Sequence, residues 1–271
     1  MNKCFSLFIY LIFFQIGFSQ VIFDQGAISN SLAGANITLS DVWSVNNNIG
    51  NLSQLQNSEI GISLNNRFLI PDFTTSTIVF ALPFDDKALG INYSNFGNVN
   101  YQIHKAGIGY AMKLGKNISG GIKMNYLSIN LGDFYGSKSI ISGDIGISAQ
   151  LNTALKMGVL IQNPTLSKLA NFEDERIPSL IHLGFNYEVS EQLNTIVTIE
   201  KDIIYPVSLR AAIVYRPAEK LTINAGVGTQ PTTFGFGLGT QFNRLSLNIG
   251  SQYHQILGFS PELSLTTALH K

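Results

Sequence analysis

The stretch FGFGLGTQFNRLSLNIGSQY, residues 234–253, decides the fold. Phe234, Phe236, Leu238 and Phe242 alternate with Gly235, Gly237, Gly239 and Gln241. After Asn243-Arg244 the alternation resumes, with Leu245, Leu247, Ile249 and Tyr253 set against Ser246, Asn248, Gly250 and Gln252. A period of two held for about ten residues, broken by a polar turn and resumed, is the pattern of a hairpin in a membrane β-barrel. Such strands turn apolar side chains to lipid and small or polar ones to the lumen. The period also puts the three glycines on one strand face, where they read as a smooth lumen wall or a kink and not as a nucleotide-binding loop.

Working outward, Val207, Leu209, Ala211, Ile213 and Tyr215 alternate with Ser208, Arg210 and Ala212 in the same way. About fourteen such segments begin near residues 58, 73, 86, 104, 117, 139, 153, 178, 192, 206, 220, 232, 244 and 260, an even number that closes an up-and-down antiparallel barrel. Short links near Asp85-Asp86, Gly115-Lys116, Asn152-Thr153, Ser190-Glu191, Pro217-Ala218 and Asn243-Arg244 alternate with longer ones, as periplasmic turns alternate with outside loops. The links at Pro71-Asp72 and Gln230-Pro231 are modest exceptions, and the longest link, 163–177, is expected outside the cell with both termini periplasmic. An aromatic girdle is expected from Phe68, Tyr93, Tyr110, Tyr126, Phe185, Tyr187, Tyr215, Phe242 and Tyr253. A soluble β-sandwich also alternates, but Gly-rich polar faces, aromatic strand ends and the number of strands argue against it.

Composition agrees. Of 271 residues 45% are hydrophobic and 13% charged, where soluble domains carry about 25% charge. Seventeen basic and seventeen acidic side chains give a net charge of zero, so no basic field exists to hold nucleic acid. Met1-Asn2-Lys3, the apolar run Phe5 to Phe14 and Gly17-Phe18-Ser19 form an export signal over residues 1–19, with cleavage expected after Ser19. The one cysteine, Cys4, lies inside that signal, which leaves the mature chain without a disulfide or a thiolate metal site. Beyond Gln20 no apolar run is long enough for a membrane helix.

Catalytic machinery is not visible. Histidines 104, 182, 254 and 270 lack metal-ligand spacing and no nucleophile motif occurs, so no enzyme activity, cofactor or metal is expected. Ten charged residues, Arg67, Lys105, Lys113, Lys123, Asp144, Lys156, Glu188, Glu200, Arg210 and Glu262, fall on the polar phase of their strands. Exposure to lipid at mid-bilayer would cost about 2–4 kcal/mol for a basic side chain, so all ten are expected to face the lumen. There they either pair and brace a plug or form a selectivity filter. The cluster Glu173-Asp174-Glu175-Arg176 in the longest link is either a solvated tip or a partner contact.

Residues 20–57 precede the first strand and belong to no strand series. Gly26-Ala27-Ile28-Ser29, Leu32-Ala33-Gly34-Ala35, Leu39-Ser40-Asp41-Val42-Trp43 and Asn48-Ile49-Gly50-Asn51-Leu52 occur there in order. Together with Gly107-Ile108-Gly109-Tyr110, Thr229-Gln230-Pro231 and Tyr253 to Pro261, this order resembles that of FadL-like outer-membrane barrels, especially the PorV/PorQ group. Ile28 stands where that group has Arg, and Ile49 where it has Pro. The resemblance implies a fourteen-stranded barrel over residues 58–271 in the outer membrane of a Gram-negative bacterium, with residues 20–57 folded inside as a hatch. Gly26, Ser29, Gly34, Asp41, Trp43, Asn48 and Gly50 would be hatch residues, with Trp43 a packing anchor. It also implies an accessory or shuttle role in type IX protein secretion, with secreted proteins or secretion components as partners beside outer-membrane lipid. The alternatives are a FadL-like transporter of a hydrophobic ligand and a purely structural barrel.

Overall fold

The computed structural model describes residues 26–132, 136–167 and 177–269. The export signal expected over residues 1–19, the cluster Glu173 to Arg176 and His270 lie outside them. The described strands are β1 (Glu59–Asn66), β2 (Thr74–Phe84), β3 (Lys87–Asn98), β4 (Tyr101–Lys113), β5 (Ile118–Asn130), β6 (Ser137–Gln150) and β7 (Leu155–Gln162). They continue with β8 (Leu180–Ser190), β9 (Leu193–Asp202), β10 (Ser208–Ala218), β11 (Leu221–Thr229), β12 (Thr232–Phe242), β13 (Leu245–His254) and β14 (Gly258–Ala268). Each pairs antiparallel with its sequence neighbours, and β1 pairs with β14 from Glu59–Ala268 to Asn65–Glu262, closing the barrel. Every strand starts within three residues of the place its alternation indicates.

The alternation sets the two faces of the wall. Along β12, Gly235, Gly237 and Gly239 are buried while Phe234, Phe236, Leu238 and Phe242 are exposed. The same phase leaves Ile62, Ile78, Ile91, Ile122, Val197, Ile213 and Ile249 on the outside, an apolar band around the barrel that suits lipid and not water. Eight of the nine girdle aromatics point outward from their strands; Phe68 instead sits past the end of β1, in a tight turn at φ 58°. The links at the end where β1 begins are short throughout. At the opposite end 131–136, 163–179 and 203–207 are longer, as expected, and 67–73 is longer than the modest link expected at Pro71-Asp72; 230–231 is brief, as expected, whereas 99–100 and 255–257 are brief where a longer link was expected. Two register shifts occur among the described residues, at Tyr215/Ala218 and Glu188/Ser190, both at the short-link end, so the ladders run unbroken through the middle of the wall.

Residues 26–55 fill the lumen as a hatch. It contains α1 (Ala27–Ser31), α2 (Ser44–Asn47) and a 3-10 turn over Ile49–Gln54, elements too short to leave a helical stripe in the sequence or to stand without packing. The wall meets the hatch with glycine. Five cross-strand pairs, Gly90–Gly109, Gly121–Gly146, Gly158–Gly184, Gly226–Gly235 and Gly237–Gly250, all face it. Val45 and Leu52 pack over Gly90, Ile49 over Gly109, Ile37 over Gly158 and Gly184, and the Ser31 to Ala33 backbone over Gly235. At Gly90, Gly109, Gly158 and Gly235 a Cβ would collide, and at Gly184 it would be tight, so the absent side chains are what let the hatch approach the wall so closely. Two apolar clusters add to this packing: Val42, Trp43, Val45, Ile49 and Leu52 against Val79, Ala81, Ala88 and Ala111, and Leu32 and Ala35 against Ile196, Ala212 and Val214. The hatch also bonds to the last strand, where Gly26 donates to Glu262 Oε1 at 3.0 Å, Ala27 to Ser264 Oγ at 3.2 Å and Asn30 to the Ser260 carbonyl at 2.8 Å.

Candidate functional site: the lumen and its hatch

From the long-link mouth inward, β3, β4 and β5 present their lumen side chains in successive rows. Phe96, Ile103 and Ile129 stand abreast, then Ser94, Lys105 and Leu127, then Asn92, Gly107 and Asn125. The first row joins Leu127, Tyr101 and Ile177 in an apolar cluster inside the mouth. The aromatic ring of Phe73 lies 5.9 Å from that of Phe96. Between the second and third rows is a cavity of about 60 Å³, lined by Lys105, Asn125, Leu127, Asp144, Asn163 and Ile177 among others. Below it the buried Lys123 ammonium donates to hatch Asn46 Oδ1 at 2.8 Å, and Asn125 Nδ2 donates to Asp144 Oδ2 at 2.7 Å.

On the far side of the lumen Arg210 holds the hatch directly. Its Nη1 donates to the Ala33 carbonyl at 2.7 Å and its Nη2 to Glu200 Oε2 at 2.9 Å. His182 Nδ1 lies 3.4 Å from the same carboxylate oxygen, and its Nε2 is 3.2 Å from Gln162 Oε1. The Ala33 carbonyl belongs to a tight turn with Ala33 at φ 51° and Gly34 at φ 81°, so the guanidinium clamps the most sharply bent part of the hatch.

At the short-link mouth, Ile28, Asp41, Trp43, Glu59, Arg244 and neighbouring residues line a cavity of about 350 Å³. Burial pushes the Asp41 carboxyl up to about 6, against the Trp43 and Ser44 backbone N–H groups and the charge of Lys156. Lys156 Nζ donates to Ser40 Oγ and, at 2.8 Å, to Gln54 Oε1, whose amide donates in turn to Ser119 Oγ at 3.2 Å and Ser148 Oγ at 3.0 Å.

Among the ten charges on the polar phase, Lys105, Lys123, Asp144, Lys156, Glu200, Arg210 and Glu262 lie within the barrel, on the hatch or the cavity lining. Three do not. Arg67 sits in the turn beyond β1, Lys113 is exposed at the short-link end beside Asp86 at 2.8 Å, and Glu188 is exposed where β8 leaves its register. At a strand end the phase no longer selects lumen over solvent. The lumen charges bond to neighbouring strands and to the hatch and do not line an open ring. His182 was not singled out by the sequence, although its place two residues before Gly184 on β8 carries the inward phase.

The hatch residues have separate structural jobs. Gly26, at φ 93°, lies under the Trp43 ring, which is itself buried in the larger apolar cluster. Ser29 Oγ accepts from Asn36, and Gly34 N–H donates to the Ser29 carbonyl at 3.0 Å. Asn48 ties three strands of chain together: its Oδ1 accepts from Gly50 at 3.0 Å while its Nδ2 donates to the Ile37 carbonyl at 2.8 Å and the Ile147 carbonyl at 3.2 Å. Gly50 abuts the Gly146 backbone. Ile49 fills the notch over Gly109, and Ile28 packs beside Leu32 and borders the larger cavity. Among the described residues no group of His, Cys, Asp and Glu is placed to hold a metal ion.

No protein-family model matches the chain, and no curated protein matches it either. Solved structures share its fold. The CymD monoaromatic hydrocarbon channel superposes with a TM-score of 0.72 at 12% identity, covering 93% of this chain and 100% of that one. The Ralstonia pickettii toluene transporter TbuX gives 0.71 at 10% identity over 92% and 100%, and a Pseudomonas aeruginosa FadL homologue 0.63 at 12% over 91% and 98%. These three neighbours are a monoaromatic hydrocarbon channel, a toluene transporter and a FadL homologue, and the narrower PorV/PorQ likeness has no counterpart among them.

Proposed function

We propose that this chain, built on a fold shared with hydrocarbon channels, is an integral outer-membrane barrel that passes a hydrophobic small molecule inward past its hatch. The observation that carries this reading is the apolar cluster of Phe96, Ile103, Leu127 and Ile129 inside the long-link mouth. A lumen that passed ions or only braced a wall would gain nothing from an aromatic and three aliphatic side chains turned away from lipid. They offer an apolar surface to a molecule entering from that side. The ladders are continuous at mid-wall and the hatch fills the lumen, so the hatch is the barrier such a molecule meets.

The long-link mouth is then the outer one, and both ends of the described chain leave toward the periplasm. The secretion role expected from the PorV/PorQ resemblance gains no support from the three neighbours, which are hydrocarbon channels, transporters and a FadL homologue. The test is uptake of radiolabelled toluene by a deletion strain with and without the gene restored. Restored uptake is expected; uptake unchanged by the deletion, together with loss of secreted proteins from the cell surface, would overturn the transport reading in favour of secretion.

A further inference from the structure

The wall is not equally tall all round. β3 to β6 run for 12, 13, 13 and 14 residues, whereas β10 to β13, on the opposite side of the closed barrel, run for 11, 9, 11 and 10. At the short-link end the ladders reach within three residues of the ends of these strands, so that end is level and the difference shows at the long-link mouth. At about 3.3 Å per residue and a tilt of about 40°, three residues raise the wall by about 8 Å.

The outward side chains follow the same division. On the tall side Tyr126 hydrogen-bonds Ser139 Oγ at 2.7 Å, and past it the outward pairs are Ser128–Ser139 and Asn130–Ser137, all polar. On the low side the links carry apolar tips instead: Ile203 and Ile204 in 203–207, 57% and 62% exposed, and Ile256 and Leu257 in 255–257, 76% and 52% exposed. The latter two lie just past Tyr253 and Phe259, whose rings are 4.8 Å apart on the outer face. At the short-link end each two-residue turn carries a charge, as turns in water do. Strands of 9 to 11 residues are as long as the hydrocarbon of a bilayer requires, so the low rim ends at its boundary and continues the lipid-facing band, while β3 to β6 rise above it.

From the low rim an apolar path leads inward. His254 Nδ1 accepts from the backbone N–H groups of Ile256 and Leu257, both at 3.2 Å, and its ring meets that of Phe68 edge-on at 6.2 Å. The link 67–73 starts beside β14, where the Phe68 N–H donates to Ser260 Oγ at 3.1 Å. It carries Leu69 and Ile70 across to Phe73, whose ring lies 5.9 Å from that of Phe96 in the mouth cluster.

We propose that the links 203–207 and 255–257 are in contact with lipid of the outer leaflet, and that the transported molecule enters over this low rim from the lipid and not from the water above. The proposal rests on the transport reading, with the long-link mouth outward, and names the phase that supplies the substrate. A small apolar molecule concentrates in lipid, and a rim flush with lipid meets it there.

Two measurements on the full-length chain test this. Ile256→Trp and Ser137→Trp are reconstituted in phosphatidylcholine vesicles brominated near the headgroup, with wild type giving the Trp43 background. Emission from Ile256→Trp is expected to be quenched and that from Ser137→Trp to persist. Uptake of radiolabelled toluene is then compared in a deletion strain restored with wild type, with Ile256→Asp combined with Leu257→Asp, or with Ser137→Asp. The double variant is expected to take up toluene about fivefold more slowly than wild type and Ser137→Asp as fast, heat-modifiable gel mobility confirming folded barrels. The backbone bonds to His254 do not involve the exchanged side chains. Unquenched Ile256→Trp overturns the lipid contact, and full uptake by the double variant overturns entry over the rim; either leaves the transport reading intact. Failure of wild type to restore uptake overturns the transport reading and the entry route with it, while quenching still decides the lipid contact.

Discussion

Gly226 and Gly235 stand directly opposite each other on β11 and β12, and the hatch backbone from Leu32 to Ala33 lies in the space their missing side chains leave. Wall and hatch therefore meet backbone to backbone on this side. Replacing Gly226 by Val should force the hatch off the wall at a cost of about 1–3 kcal/mol, the range for overpacking. Limited proteolysis within residues 26–55 and single-channel conductance in planar bilayers measure it: faster cleavage and larger conductance are expected, and an unchanged barrel would show that the fit is loose.

The Arg210–Glu200 pair is about nine-tenths buried on both sides, and Arg210 also holds the Ala33 carbonyl. Arg210→Met leaves the Glu200 carboxylate buried with only His182 facing it, so a loss of about 3–5 kcal/mol is expected. Arg210→Met combined with Glu200→Leu should recover part of that loss. Denaturant unfolding followed by circular dichroism compares the three proteins.

Asp41 gives the hatch a pH dependence of unusual sign. Its carboxyl, raised to about 6 by burial, keeps its proton where an unfolded chain has already lost it near 4. Its contribution thus favours the docked hatch at low pH and is lost as pH rises from about 4 to about 6. Protection factors of hatch amides, which are exchange rates corrected for the intrinsic base-catalysed rise with pH, are expected to fall between pH 4.5 and 7.5, and Asp41→Asn should lessen that fall. Lys156, Glu59 and Arg244 share this end of the lumen and are held constant in the comparison.

Leu238 faces outward near the middle of β12. Leu238→Arg should destabilise the folded barrel in bilayers by about 2–4 kcal/mol, whereas Asp86→Ala, which breaks only the exposed ion pair with Lys113, should change little. Unfolding in lipid vesicles separates the two.

The barrel was legible in the sequence because a wall with two unlike solvents on its faces must alternate, and Phe234 to Tyr253 shows that alternation almost without error. Phase says less where strands end: Lys113 and Glu188 are exposed at the short-link end, and Arg67 lies in the turn beyond β1. The glycines of β12 could be assigned to one face, but their pairing with Gly226 and Gly250 depends on register, which alternation alone does not fix. The hatch contacts were less legible still. Arg210 with Ala33, and Lys123 with Asn46, join positions 177 and 77 residues apart, with no local pattern to announce them.

The hydrogen bonds from Gly26, Ala27 and Asn30 to Glu262, Ser264 and Ser260 join the beginning of the described chain to its last strand. The hatch is made first, yet these three of its bonds wait for the last strand, so a chain cut short before β14 would seat its hatch without them. Closure of the wall by β1 and β14 and the seating of the start of the hatch are therefore one step. The two ends of the described chain meet in the closed wall, so neither is complete without the other.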